Sequence, residues 1–211
     1  MHISEGVAPI GIALAGAAIA VPCIAVGLRA LRDEQIPRAA LTASVLFVST
    51  LVIRLPIGPS SVHPLLGGLA GLFLGWAAMP VFLVSLFLQA LLFQFGGITT
   101  LGINTVVMGL PAVLVYYLFN GRVRKAGAGK SAFFWGMMAG VTAYLVSFVL
   151  WATALILCGK QMGPIVGIAL IPNIIVAVAE GIFTGFVAAF LLRVYPSVFE
   201  LSAARSKGGK R

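Results

Sequence analysis

Long apolar stretches, separated by short polar or basic joints, run through almost the whole chain. Residues 8–28, 39–55, 105–120, 132–158 and 165–193 are each predominantly apolar. A hydrocarbon core of about 30 Å takes about 17–25 such residues to cross as a helix. Each stretch therefore predicts a membrane-crossing helix, 105–120 being a little short. Residues 65–98 fit either one very long helix or two short ones meeting near Met79-Pro80.

The basic residues choose between these. Arg29, Arg32 and Arg38 lie in the joint 29–38, Arg122, Arg124, Lys125 and Lys130 in the joint 121–131, and Arg193, Arg205, Lys207, Lys210 and Arg211 toward the end of the chain. Lys- and Arg-rich loops stay in the cytoplasm, so an even number of spans separates each pair of these segments. Splitting 65–98 at Pro80 meets that condition and predicts an all-α, polytopic transmembrane helical bundle of about seven spans. Its N-terminus is outside and its C-terminus inside, with the loops 56–64, 96–104 and 158–164 on the outer face. Only Lys160 is charged in those loops. Arg54 is the exception, near the outer end of the second span, where a long side chain reaches back to the headgroups. Gly and Ala are frequent in the first, third and seventh spans, which lets helix backbones approach closely in lipid.

Composition agrees: 61% of residues are hydrophobic and 9% charged, far from the roughly half-apolar, quarter-charged make-up of a soluble domain. The net charge of +9 is spread over joints and tail rather than gathered on one face, as a nucleic-acid footprint requires. Cys23 and Cys158 fall at opposite membrane faces in this topology and read as packing residues rather than a disulfide. The first apolar run lacks a basic leader and a small-residue cleavage site, so Met1 is expected to stay in the mature chain. Gly127-Ala128-Gly129-Lys130-Ser131 looks like the end of a phosphate-binding loop, but Arg124 stands where that pattern needs its first glycine. No bound nucleotide is expected, and any ATP hydrolysis falls to another subunit.

His2 and His63, the two histidines of the chain, both fall on the outer face. A free amine on Met1 and the His2 backbone nitrogen close a five-membered ring around a metal, and the same backbone nitrogen and His2 Nδ1 close a six-membered one. The imidazole of His63 would complete a planar set of four nitrogens, an arrangement that suits Ni(II), Cu(II) and low-spin Co(II) better than tetrahedral Zn(II). The alternative is a solvated terminal histidine and a loop histidine before Pro64, and spacing alone leaves both open.

Met1-His2-Ile3-Ser4-Glu5-Gly6 resembles the N-terminal signature of the CbiM/NikM family, the substrate-binding subunits of energy-coupling factor (ECF) cobalt and nickel transporters, a class of ABC transporter. Ser60-Ser61-Val62-His63-Pro64, Gln89-Ala90-Leu91-Leu92-Phe93, Gly96-Gly97-Ile98-Thr99-Thr100-Leu101-Gly102-Ile103-Asn104 and Ala179-Glu180-Gly181 match it in order, over about residues 1–195. Where the family often continues past its second histidine with a Thr-Gly run, this chain has Leu65-Leu66-Gly67-Gly68.

The resemblance implies a metal held by the Met1 amine, the His2 backbone and imidazole nitrogens, and His63. It implies a transported substrate of Co(II) or Ni(II), with cobalt ahead and uptake often serving cobalamin synthesis. It implies as partners a CbiQ-like transmembrane coupling subunit, CbiO-like ATPase subunits and a small accessory membrane protein. The setting is the bacterial or archaeal cytoplasmic membrane. Residues 1–195 are then one transmembrane metal-binding domain and 196–211 a basic cytoplasmic tail.

Metal-bound histidines are oriented through their second ring nitrogen. The candidates for that support are Glu5, Ser60, Ser61, Thr99, Thr100 and, first among them, Asn104. Glu180, the sole acidic residue deep in a span, is expected to make an interhelical hydrogen bond or a coupling contact rather than bind metal. Transport follows as capture outside and ATP-driven reorientation that pulls the ligands apart, with binding weakening below roughly pH 6 as amine and imidazole protonate. An intramembrane enzyme would need convergent acid, base and nucleophile groups, and a metal channel weak ligands along a pore. The spans supply neither. A vitamin-binding subunit of the same transporter class would leave the paired histidines without a purpose.

Overall fold

The computed structural model describes residues 1–57 and 60–199. The side chains of residues 57, 60 and 160 and the tail from residue 200 onward, with Arg205, Lys207, Lys210 and Arg211, lie outside it. The sequence-expected roles of Ser60, Lys160 and most of the basic tail therefore fall outside the described residues.

Apolar runs become helices because, without water, every backbone N–H and C=O must be satisfied within the segment. Helix α1 spans Ile10–Ala30 and α2 spans Ile36–Val52. Helices α3 (Gly67–Leu74) and α4 (Ala78–Phe93) are separated by a 3-10 turn, Gly75–Ala77. Helix α5 covers Leu101–Val115 and continues through a π-helical turn, Tyr116–Asn120, into the short α6, Gly121–Lys125. The two longest, α7 (Lys130–Cys158) and α8 (Gly163–Val194), pair with each other.

Among the described residues, six helical segments are long and apolar enough to cross a membrane, with Gly67–Phe93 counted as one. That segment folds back on itself. Gly67, Gly71 and Gly75 approach Met108, Ala112 and Tyr116 in turn, so α3 runs parallel to α5. Helix α4 runs antiparallel to it: Met79 meets Gly109 near its start, and Gln89 reaches the N-terminal segment held by Asn104 near its end. The two legs restore the seven passes expected from charge, but the chain turns at Gly75–Ala77 rather than at Pro80. Gly75 has φ +55°, a conformation glycine adopts freely, whereas Pro80 lies in the first turn of α4, where a missing N–H costs nothing.

Two further boundaries differ from expectation. The second span ends at Val52 instead of 55, and Leu55–Ile57 pairs antiparallel with Ser60–Val62 as strands β1 and β2, with Leu55 opposite Val62 and Pro56 opposite Ser61. Among the described residues this hairpin is the one β element, and it lies in a segment expected to be loop. Arg54 lies beyond the helix, its guanidinium 3.4 Å from the centre of the Phe95 ring, a cation–π contact.

Within an 18-residue apolar stretch of each span, 67% of residues are buried in α3–α4 and 56% in α5–α6, against 22% in α1 and in α2 and 33% in α7 and in α8. The two broken, glycine-rich elements are thus the centre of the bundle and the longer helices its wall. Outward-facing Ile10, Leu14, Phe186 and Phe190 belong to the surface that lipid covers.

Candidate metal centre

The first three residues do not trail into solvent. Met1 and Ile3 are fully buried and His2 is 1% exposed. Asn104, in the first turn of α5, grips Ile3 at both ends: its Oδ1 accepts from Ile3 N at 2.9 Å and its Nδ2 donates to Ile3 O at 3.0 Å. Thr100 Oγ1 donates to the same carbonyl at 2.8 Å, and Glu5 N donates to Gly96 O at 2.8 Å. Gly96 has φ +79°, and a Cβ there would sit 3.2 Å from His2 Cδ2 and 3.0 Å from Asn104 Nδ2. The glycines before α5 therefore let the chain wrap against its own N-terminus.

His63 approaches from the β-hairpin side and is equally buried. Its Nε2 lies 2.7 Å from the Met1 amine and 3.0 Å from His2 Nδ1, and the two rings stack with centres 4.6 Å apart. The network assigns the ring protons. His63 Nδ1 is 3.0 Å from the Pro64 carbonyl, which only accepts, so Nδ1 carries the proton and Nε2 a bare lone pair. His2 Nε2 is 2.9 Å from Gln89 Oε1, whose orientation is set because Gln89 Nε2 faces the Leu46 carbonyl, which only accepts, and Thr50 Oγ1, whose own proton goes to that carbonyl. His2 Nδ1 is then the acceptor nitrogen of its ring. The two imidazole acceptor nitrogens face each other, with the Met1 amine as the N–H donor beside His63 Nε2, three nitrogens of the kind that bind a metal cation.

The spacing suits such a cation. Metal–nitrogen bonds of about 2.0–2.1 Å put neighbouring corners of a planar set about 2.8–3.0 Å apart, close to both observed separations. The order around the set agrees as well: His63 Nε2 adjoins the Met1 amine on one side and His2 Nδ1 on the other, leaving the His2 backbone nitrogen opposite. Burial, and next the charge of Arg54, pushes the Met1 amine well below its ordinary pKa. Burial, then the amine's charge, does the same to both histidines. All three donors are thereby pushed toward the neutral form that a metal ligand needs.

The structure thus brings Met1, His2 and His63 together as expected. The supporting residues differ from those singled out in the sequence. Asn104 and Thr100 hydrogen-bond the backbone of Ile3. Glu5 is exposed, its carboxylate accepting from the Thr99 hydroxyl and, at 3.2 Å, from Thr99 N. Ser61 is buried with its hydroxyl unpartnered among the described residues. The ring nitrogens are oriented instead by Gln89 and the Pro64 carbonyl. Gln89 carried a signal, an amide inside an apolar helix, while a backbone carbonyl carries none. Among the described residues no group of three or more His, Cys, Asp or Glu gathers anywhere, so this cluster depends on the amine.

Fold and site together define a multi-pass membrane protein whose polar centre is a buried set of nitrogen donors. The chain belongs to the CbiM family, the cobalt uptake substrate-specific transmembrane region, whose pattern matches residues 2–198; it is a substrate-specific subunit for metal transport, not an enzyme. A Haemophilus influenzae protein named for metal transport is 43% identical over 203 residues, covering 94% of this chain and 96% of that one. A Methanocorpusculum labreanum protein named as a fused cobalt transport protein CbiMQ is 30% identical over 217 residues, covering 94% of this chain and 36% of its own length. A crystal structure described as a transition metal transporter shares the fold, with a TM-score of 0.67 at 22% identity over 99% of this chain and 100% of that one.

Proposed function

We propose that this chain captures Co(II) at the outer face of the cytoplasmic membrane through the Met1 amine, the His2 backbone nitrogen, His2 Nδ1 and His63 Nε2. The observation that carries this is the pair of facing imidazole nitrogens 3.0 Å apart with the amine 2.7 Å from one of them. Ni(II) is the second reading, because a planar nitrogen set accepts both ions; the family's cobalt uptake description favours cobalt.

In this reading residues 1–195 act as one metal-binding domain and 196–211 as a basic cytoplasmic tail. The N-terminus faces outward and the basic joints inward. Energy comes from partners: a CbiQ-like coupling subunit, CbiO-like ATPases and a small accessory membrane protein, in an ECF-type assembly. The fused relative, whose name joins CbiM to CbiQ, supports the first of these. Metal analysis and calorimetry on purified chain with Co(II) and Ni(II) test the reading. One equivalent bound by wild type and none by His63→Ala supports it and ranks the two ions. Equal binding by both proteins refutes it.

A further inference from the structure

The donor cluster is held from two sides by different helices. Met1, His2 and Ile3 are fastened to α4 and α5 through Gln89, Asn104 and Thr100. The segment carrying His63 is fastened to α8. Glu180, 3% exposed in the middle of that helix, accepts from Leu65 N at 2.8 Å through one carboxylate oxygen and from Gly67 N at 3.1 Å through the other. Leu66 lies between with φ +52°, a left-handed conformation that costs a leucine free energy. That turn aims successive N–H groups into one concavity, as in backbone anion nests. From α7, Tyr144 OH lies 3.3 Å from the His63 carbonyl while donating at 2.9 Å to Asn173 of α8.

We propose that Glu180 is the positioning residue for His63, and that displacement of α8 relative to the α4–α5 pair parts His63 from the Met1–His2 half to release the metal. This rests on the donor set proposed above. It gives the sole acidic side chain of the spans a task outside metal coordination. A carboxylate gripping two backbone donors moves the His63 segment as a body with α8. The N-terminal half, clamped at both ends of Ile3, stays with α5. Release then needs no ligand to unfold, only the loss of one corner of the planar set.

Dissociation of Ni(II) from purified full-length chain, with its visible absorption, tests this. Glu180→Gln keeps one accepting oxygen but sets an amide N–H against a backbone N–H. It is expected to release Ni(II) about ten-fold faster, in line with loss of an orienting partner. Glu180→Ala is expected to release Ni(II) faster than the Gln variant, and Glu180→Asp to lie between wild type and Gln. Wild-type dissociation rate and spectrum in the Gln variant, with or without a lowered melting temperature, would overturn the assignment; this variant decides if the Ala protein does not fold. Under that result, loss of binding by His63→Ala leaves the donor set standing and removes only the role of Glu180. Wild-type binding by His63→Ala would remove both.

Discussion

His63 Nε2 is the corner at which the account is most exposed, because it sits within 3.0 Å of two other donors. Burial is the chief cause that lowers the pKa of all three donors. Co(II) affinity is expected to fall about ten-fold for each unit that the pH is lowered through neutrality, because binding displaces the His2 amide proton, and more steeply once the amine and imidazoles also protonate. Near pH 7.5 one proton per metal should still be released, from the His2 amide, and calorimetry in buffers of different ionisation enthalpy measures it. Release of two or three would show that amine or imidazole is charged before binding. Replacing Gln89 with Leu frees the His2 ring and is expected to weaken Co(II) binding about 10–100-fold with the helical circular dichroism retained; unchanged affinity would mean His2 needs no such support. The proposed Met1–His2 chelate was legible in sequence because chelate ring size depends only on chain connectivity near Met1, and His63 entered through the family resemblance. Gln89 and the Pro64 carbonyl were not, since their relation to the rings is created by packing across 87 residues in one case and rests on an anonymous backbone group in the other.

At the scale of elements, close contacts between glycine-rich backbones position the site. A Cβ at Gly68 would lie 2.6 Å from Gly140 Cα, and one at Gly140 would lie 2.8 Å from Gly181 Cα, so α3, α7 and α8 touch with almost no side chain between them. Such contacts supply dispersion in lipid, where burial from water contributes nothing between helices. At Gly71 a Cβ would overlap the Ala112 carbonyl oxygen. Gly71→Val is therefore expected to pry α3 from α5 and lower the melting temperature in detergent by several degrees, about 1–3 kcal/mol of overpacking in a chain of this size. An unshifted melting temperature would show that the contact is looser than described. The apolar runs announced the helices and the basic joints their number of passes. The turn at Gly75 escaped because proline was read as the breaker, yet a proline one turn inside a helix start is harmless and a glycine with positive φ is what reverses the chain. The β-hairpin escaped too, having only three residues in each strand.

For the whole molecule, orientation follows from charge: Arg122, Arg124 and Lys125 of α6 and Lys130 at the start of α7 belong inside, with the donor cluster near the outer face. A cysteine placed at Ala128 in a chain lacking Cys23 and Cys158 is expected to react with a membrane-impermeant maleimide only after cells are opened, and one placed at Gly6 to react in intact cells. The reverse pattern would invert the capture direction. Family membership over residues 2–198 makes the molecule a metal-transport subunit, and the central claim is that its first nitrogen is a ligand. Formylation, obtained by expressing the protein while deformylase is inhibited, changes that amine into an amide with almost no added bulk. Co(II) stoichiometry measured on free and formylated protein, separated by intact mass, is therefore the most direct measurement. One equivalent in the free form and none in the formylated form is predicted; one equivalent in both would contradict the terminal chelate.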